Sequence, residues 1–278
     1  MCVFIVSLGI TVYPILSTLY NSRHQSIIHT EHQEIIAHTD NTELRKIKES
    51  AEAYNLSIQP GPQIETAFSK EALKNASNNY GQQLNLSGDG IMGYINIPKI
   101  NATLPIYHGT DETTLELGIG HLLGSSLPIG GSSTHSILTA HSGMASQKMF
   151  SDLPQLLVGD VFYLDILNDR LAYQVDQINT VLPHETELLG IEDGKDLCTL
   201  VTCTPFGVNT HRLLVRGHRI PYEEAEVIVQ EKGNEVPTPS TWEQEYFRGV
   251  AIGLAIVAVM GICIIFICCH KRGRYESY

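Results

Sequence analysis

The residue with the strongest chemical potential is a cysteine at the open end of an expected β-strand. Residues 197–202 form a β-branched and apolar run of strand length. Pro205 has no amide hydrogen to offer a sheet ladder, so the strand is expected to stop near Cys203. Side chains alternate along a strand, which puts Thr199, Val201 and Cys203 on one face and Cys198, Leu200 and Thr202 on the other. Cys198 and Cys203 therefore cannot act together. Arg212 opens the next β-like run, and antiparallel pairing through the short loop sets it opposite Cys203, with Arg216 farther down opposite Thr199. A thiol attacks a carbonyl only as thiolate, and a neighbouring cation favours that form.

Thr199-Leu200-Val201-Thr202-Cys203 resembles the Thr-Leu-x-Thr-Cys signature of sortases, the cysteine transpeptidases of Gram-positive cell surfaces, and Arg212 falls where their essential arginine falls. His141, in Ile137-Leu138-Thr139-Ala140-His141-Ser142-Gly143, matches their histidine. The resemblance covers residues 92–220 and implies a catalytic set of Cys203, His141 and Arg212. In that set Cys203 is the nucleophile. His141 protonates the departing amine and later accepts a proton from the incoming one. Arg212 stabilises the oxyanion or holds the substrate backbone. It further implies cleavage of a Leu-Pro-x-Thr-Gly-like sorting signal, leaving a thioester that an amine resolves. His121, His135 and His211 are expected to be structural, and Arg216 and Arg219 to be solvated strand residues.

These residues need a rigid scaffold, and the chain supplies β-type runs from residue 92 onward. Runs at 93–98, 104–107, 136–140, 161–166, 171–178, 199–203 and 213–220 alternate with turn residues, as in a barrel or sandwich. Asn168-Asp169 marks a hairpin, and residues 115–123 read as a loop or short helix. The expected fold is mainly β, a closed sortase-type barrel with short helices, preceded by a helical arm and flanked by transmembrane segments. The catalytic domain spans residues 91–222.

Residues 1–21 are uncharged and largely apolar, a membrane segment or signal anchor. Residues 22–90 form the helical arm: 42–54 place Leu44, Ile47 and Ala51 at helical spacing before Pro60-Gly61-Pro62 breaks the pattern. His24, His29, His32 and His38 in this arm read as solvent-exposed. The acidic, proline-containing stretch 223–248 reads as a linker. Residues 249–269 are continuously apolar or small, long enough to span a bilayer. His270, Lys271, Arg272 and Arg274 in the tail 270–278 belong on the cytoplasmic side, which turns the barrel outward.

Two hydrophobic ends around one outward domain resemble class C sortases, the pilus-assembling branch, whose acceptor amine is typically a pilin lysine. The alternatives are a housekeeping or specialised sortase that uses a peptidoglycan precursor as acceptor, and a non-catalytic pilin-binding membrane module. Class C enzymes commonly cover the cysteine with a lid bearing Asp-Pro-aromatic. No aspartate precedes a proline anywhere in this chain, so residues 55–85 are the remaining candidate for a cover.

A net charge of −12 with no basic block excludes a nucleic-acid binder. Of six cysteines, only Cys198 and Cys203 lie outside the hydrophobic ends, on opposite strand faces, which argues against a bridge between them. No Cys-x-x-Cys pair occurs in the middle of the chain and His141 has no companions at ligand spacing, so no metal or other cofactor is expected.

Overall fold

Short runs of Ile, Val, Leu and Tyr punctuated by Gly, Asn and Asp form strands whose apolar faces meet inside a closed barrel. The computed structural model describes residues 2–58, 77–144, 147–232, 244, 246–253 and 255. The chain divides into two units, Pro14–Thr238, and Met1–Tyr13 together with Pro239–Tyr278. The first contains the barrel.

The strands are β1 (Ile91–Ile97), β2 (Ala102–His108), β3 (Ile119–His121), β4 (Thr134–Thr139), β5 (Val161–Ile166), β6 (Asp169–Val181), β7 (Asp196–Thr204) and β8 (His211–Ile220). They close in the order β1-β2-β3-β4-β7-β8-β6-β5. The β2–β3 and β4–β7 pairs are parallel and the others antiparallel. Asn168 sits in the β5–β6 hairpin, whose first rung pairs Ile166 with Asp169. β1 shifts register between Ile91 and Gly93, where a Cβ would meet the Asp165 carbonyl at 2.4 Å; only glycine fits so close to β5. Residues 115–123, expected as loop or helix, divide into a short helix α4 (Glu112–Leu117) and the three-residue β3. Gly118 and Gly120 hide the strand because neither carries a side chain to mark the alternation.

The arm begins with α1 (Cys2–His38) and α2 (Asn41–Ser57), and the one-turn α3 (Ser77–Tyr80) precedes the barrel. Ile36, Leu44 and Ala51 are buried in the same apolar cluster as barrel residues, so this part of the arm is docked. Lys48 pairs with Asp169, and Asn55 exchanges two hydrogen bonds with the Leu127 backbone. Tyr80 is buried and accepts from the Gly109 amide at 3.1 Å. His29 and His32 correct the expectation of a solvated histidine set. One turn apart on α1, both rings lie against Tyr94 of β1, at 4.5 and 5.5 Å between centroids, and His32 is buried. Burial lowers its pKa.

Beyond the barrel, where a linker is expected, α5 (Tyr222–Lys232) buries Ala225 and packs Ile228 and Val229 against Val161, Tyr163, Ala172 and Ile220. These three apolar residues stand at helical spacing inside an acidic stretch whose composition alone reads as linker. Lys232 ends the helix on Asp160, which Lys99 also contacts, at 2.8 and 2.9 Å. Among the described residues no helix is long and apolar enough to cross a membrane. The expected span 249–269 lies outside the described residues except for 249–253 and 255, as does 59–76 of the candidate cover.

Candidate active site

The strand alternation read from sequence is the feature that builds the site. Inward-facing Cys198, Leu200, Leu213 and Val215 belong to the main core. Outward-facing Val201 and Leu214 join Ile137, Leu122 and Leu189 in a second apolar cluster on the outside of β4–β7–β8. Burying Leu189 there stabilises the β6–β7 connection by about 1.5–3 kcal/mol. Cys203 and Arg212 share this outer face, one step beyond the cluster.

Cys203 pairs directly with Arg212 across β7–β8, and Thr199 with Arg216, in the register expected from the sequence. Facing residues of an antiparallel pair have Cα atoms about 4.5–5.5 Å apart. Cys203 is partly exposed, whereas Cys198 is fully buried and its thiol is pushed well up by desolvation, then by the nearby Asp196 carboxylate. A thiol so raised stays protonated and inert. Arg212 donates from Nη1 to the carbonyls of Asn209 (3.2 Å) and His211 (3.1 Å), which tie the guanidinium to the β7–β8 loop.

His141 reaches the same level of the sheet by a different route. β4 runs parallel to β7 with Thr139 paired to Val201, and the Ala140 amide continues the ladder to the Val201 carbonyl at 3.1 Å. His141 stands two residues past Thr139, as Cys203 stands two past Val201. Three hydrogen bonds hold this strand end. Thr202 Oγ1 donates to the Ala140 carbonyl (2.8 Å), the Phe150 amide to the His141 carbonyl (3.1 Å), and the Gly143 amide to Ser151 Oγ (2.9 Å). Gly143 has φ +83°, and a Cβ there would meet the Phe206 ring at 3.2 Å, so the loop after Cys203 lies against the loop after His141.

Sequence reasoning missed a carboxylate beside the histidine. Glu112 Oε1, at the start of α4, lies 3.8 Å from His141 Nε2 with its side chain 78% exposed. Helix α4 begins on Asp111, whose carboxylate accepts from the Thr114 amide, and an N-cap aspartate followed two and three residues later by Thr113 and Thr114 was the available signal.

The remaining candidates lie elsewhere. His135 is buried, its Nδ1 donating to the Gly190 carbonyl and its Nε2 accepting from Thr199 Oγ1, both at 2.7 Å. Burial lowers its pKa. His121 is buried under Tyr80, with Nδ1 2.8 Å from the phenol oxygen and Nε2 donating to the Ser126 carbonyl, and burial pulls its pKa down to about 4. His211 contacts its neighbour Thr210 Oγ1 through Nδ1 at 2.9 Å. Arg219 stands over the Tyr173 ring at 5.7 Å. Arg216 is not the solvated residue expected from sequence. Its side chain is only 16% exposed, grips both oxygens of Asp176 at 2.9 and 3.0 Å, and reaches Glu192 at 2.6 Å. Asp176 sits at the β6 bulge between Val175 and Gln177, which turns its carboxylate toward β8. Among the described residues no three His, Cys, Asp or Glu side chains converge as a metal site would require.

Known proteins share this fold and sequence. A family model described as a sortase domain matches residues 95–220. Sortase C1 from Streptococcus agalactiae has a similar solved structure, with 49% identity and a TM-score of 0.62, covering 70% of this chain and 98% of that one. Sortase C from Streptococcus pneumoniae gives 41% identity and a TM-score of 0.61, over 70% and 97% of the two chains. Sortase D from Bacillus subtilis is 30% identical over 131 residues, 46% of this chain, and the chain spans 63% of that relative's length. The chain belongs to the sortase family of cysteine transpeptidases, and the solved structures it resembles include sortases C.

Proposed function

We propose that this chain is a class C-type sortase that cuts a Leu-Pro-x-Thr-Gly-like sorting signal and joins the freed acyl group to an amine, a pilin lysine, so as to polymerise pili. The observation that carries the reading is the pairing of Cys203 with Arg212 on the outer barrel face, with His141 at the end of the strand parallel to β7.

In this mechanism the Cys203 thiolate adds to the threonine carbonyl of the signal, and Arg212 N–H groups stabilise the resulting oxyanion. Collapse breaks the threonine–glycine C–N bond, and the His141 imidazolium protonates the departing glycine amine. The acyl group is left as a thioester on Cys203. The acceptor amine then adds to that thioester, passes its extra proton to the now neutral His141, and expels Cys203 as thiolate. The cycle ends with the pair as it began.

Tethering belongs to the same proposal. Residues 249–269 anchor the chain in the cell membrane with residues 270–278 in the cytoplasm and the barrel outside, where surface-protein substrates pass. Residues 1–21 serve as a second anchor. The test is intact mass of the full-length chain after incubation with a Leu-Pro-x-Thr-Gly peptide, beside Cys203→Ala. A hydroxylamine-labile adduct on the parent and none on the variant is the expected result. No adduct, or one that persists in the variant, contradicts it.

A further inference from the structure

Below the Cys203 level, the outer face of β7–β8 carries an ion cluster that the mechanism above does not use. Arg216 is the hub. It holds Asp176 of β6 through two parallel hydrogen bonds and Glu192 of the β6–β7 connection through a third. Hydrogen bonding to Asp176 raises the Arg216 pKa further. Glu192 is also bound by Lys195, and the hydrogen bond from Lys195, with the attraction of Arg216, holds its carboxyl below the ordinary glutamate value. Two residues before Glu192, the Gly190 carbonyl is fixed by His135, and one residue earlier Leu189 lies on Val201 and Leu214.

Apolar burial holds Leu189 down, but it is non-directional and tolerates sliding along the strip. A guanidinium fork engaging two carboxylates from different elements does not tolerate sliding, because its donors are planar and fixed. We infer that Arg216 is a positioning residue for the donor peptide: by locking Glu192 to Asp176 it sets the register of Leu189 on the buried apolar strip next to the Cys203 level, and so the path of the β6–β7 connection and the surface that this connection offers to the peptide. The inference rests on the transpeptidase reading above. Arg212, four residues along the same strand face, pairs with Cys203 and in that reading meets the reacting atoms, while Arg216 acts only through the segment it holds.

The test compares the full-length chain with Arg216→Gln, Arg216→Lys and Glu192→Gln in steady-state cleavage of a Leu-Pro-x-Thr-Gly peptide, with iodoacetamide alkylation of Cys203 followed in parallel. Arg216→Gln and Glu192→Gln are expected to raise KM about fivefold or more, with kcat within about twofold and alkylation unchanged, and Arg216→Lys to fall between. Glu192 is a partly exposed partner, so its variant keeps the test decisive should Arg216→Gln fail to fold. An active parent with unchanged KM in the Glu192 variant overturns the inference alone, as does a fall in kcat together with alkylation rate. An inactive parent overturns the transpeptidase reading instead. Amide hydrogen exchange then judges the lock: Glu192→Gln should speed exchange of residues 186–192 about tenfold or more while 197–204 stay slow, and equal exchange overturns it.

Discussion

The outer face of β4–β7–β8 carries two sets of nearly the same residues with opposite fates. At one level stand His141, Cys203 and Arg212; farther down stand His135, Thr199 and Arg216. Each set has a histidine from β4 or its end, a thiol or hydroxyl on β7, and an arginine opposite on β8. In the lower set every polar group is satisfied: His135 has both nitrogens bonded, Thr199 Oγ1 is its partner, and Arg216 is neutralised by Asp176 and Glu192. The upper set sits at a strand end, partly exposed, where Cys203 faces Arg212 and the nearest carboxylate to His141 is itself in solvent. In the proposed mechanism residue type does not separate the two sets. Position at an open strand end does, because there the same groups keep unspent capacity for a substrate.

Removing each histidine in turn should separate the two sets by the largest margin. His141→Ala should lower kcat/KM by about 10²–10⁴-fold with little change in stability, as expected for loss of a general acid and base. His135→Ala should instead cost about 1–3 kcal/mol of stability by leaving the buried Thr199 hydroxyl and Gly190 carbonyl unpaired. Its effect on turnover should appear in KM. Urea unfolding and peptide cleavage on both variants separate the two roles, and equal losses of kcat would erase the distinction.

A smaller effect comes from acid. His121 titrates near pH 4 in the fold, and His135 and His32 are also lowered by burial. Between the ordinary histidine value of about 6.5 and pH 4 the unfolded chain binds protons that the folded chain refuses, so stability falls as pH drops through that window. The slope contributed by His121 alone is up to about 1.4 kcal/mol per pH unit. Urea midpoints at stepped pH should show it, and a His121→Gln variant should show a shallower slope. The smallest effect is at Glu112, since an exposed carboxylate at 3.8 Å orients His141 only weakly. Glu112→Gln should change kcat/KM by less than about threefold, and a tenfold loss would make Glu112 a member of the upper set.

The Cys203–Arg212 pairing was legible in sequence because it depends on local rules, whereas His141 was singled out only through the family resemblance. Strand alternation and the stop at Pro205 place Cys203 on a face, and antiparallel return places Arg212 opposite, as the register bears out. The lower set was not legible, because its partners come from far away: Asp176 owes its direction to a bulge in β6, and Glu192 to a connection held down by Leu189. A solvated Arg216 is the natural reading when neither carboxylate can be seen. The same reason hid α5, whose three apolar residues matter only once β5 and β6 offer a face to cover, and the docking of His29 and His32 on Tyr94.

The most direct test of the account is residue-resolved alkylation of the native full-length chain by limiting iodoacetamide, comparing Cys203 with Cys198. The two thiols share one strand and differ only in face and level. Cys203 should be modified rapidly and Cys198 only on unfolding, with Arg212→Ala slowing the Cys203 reaction. Comparable labelling of Cys198 in the native chain, or a Cys203 that stays unmodified until the barrel unfolds, would contradict it.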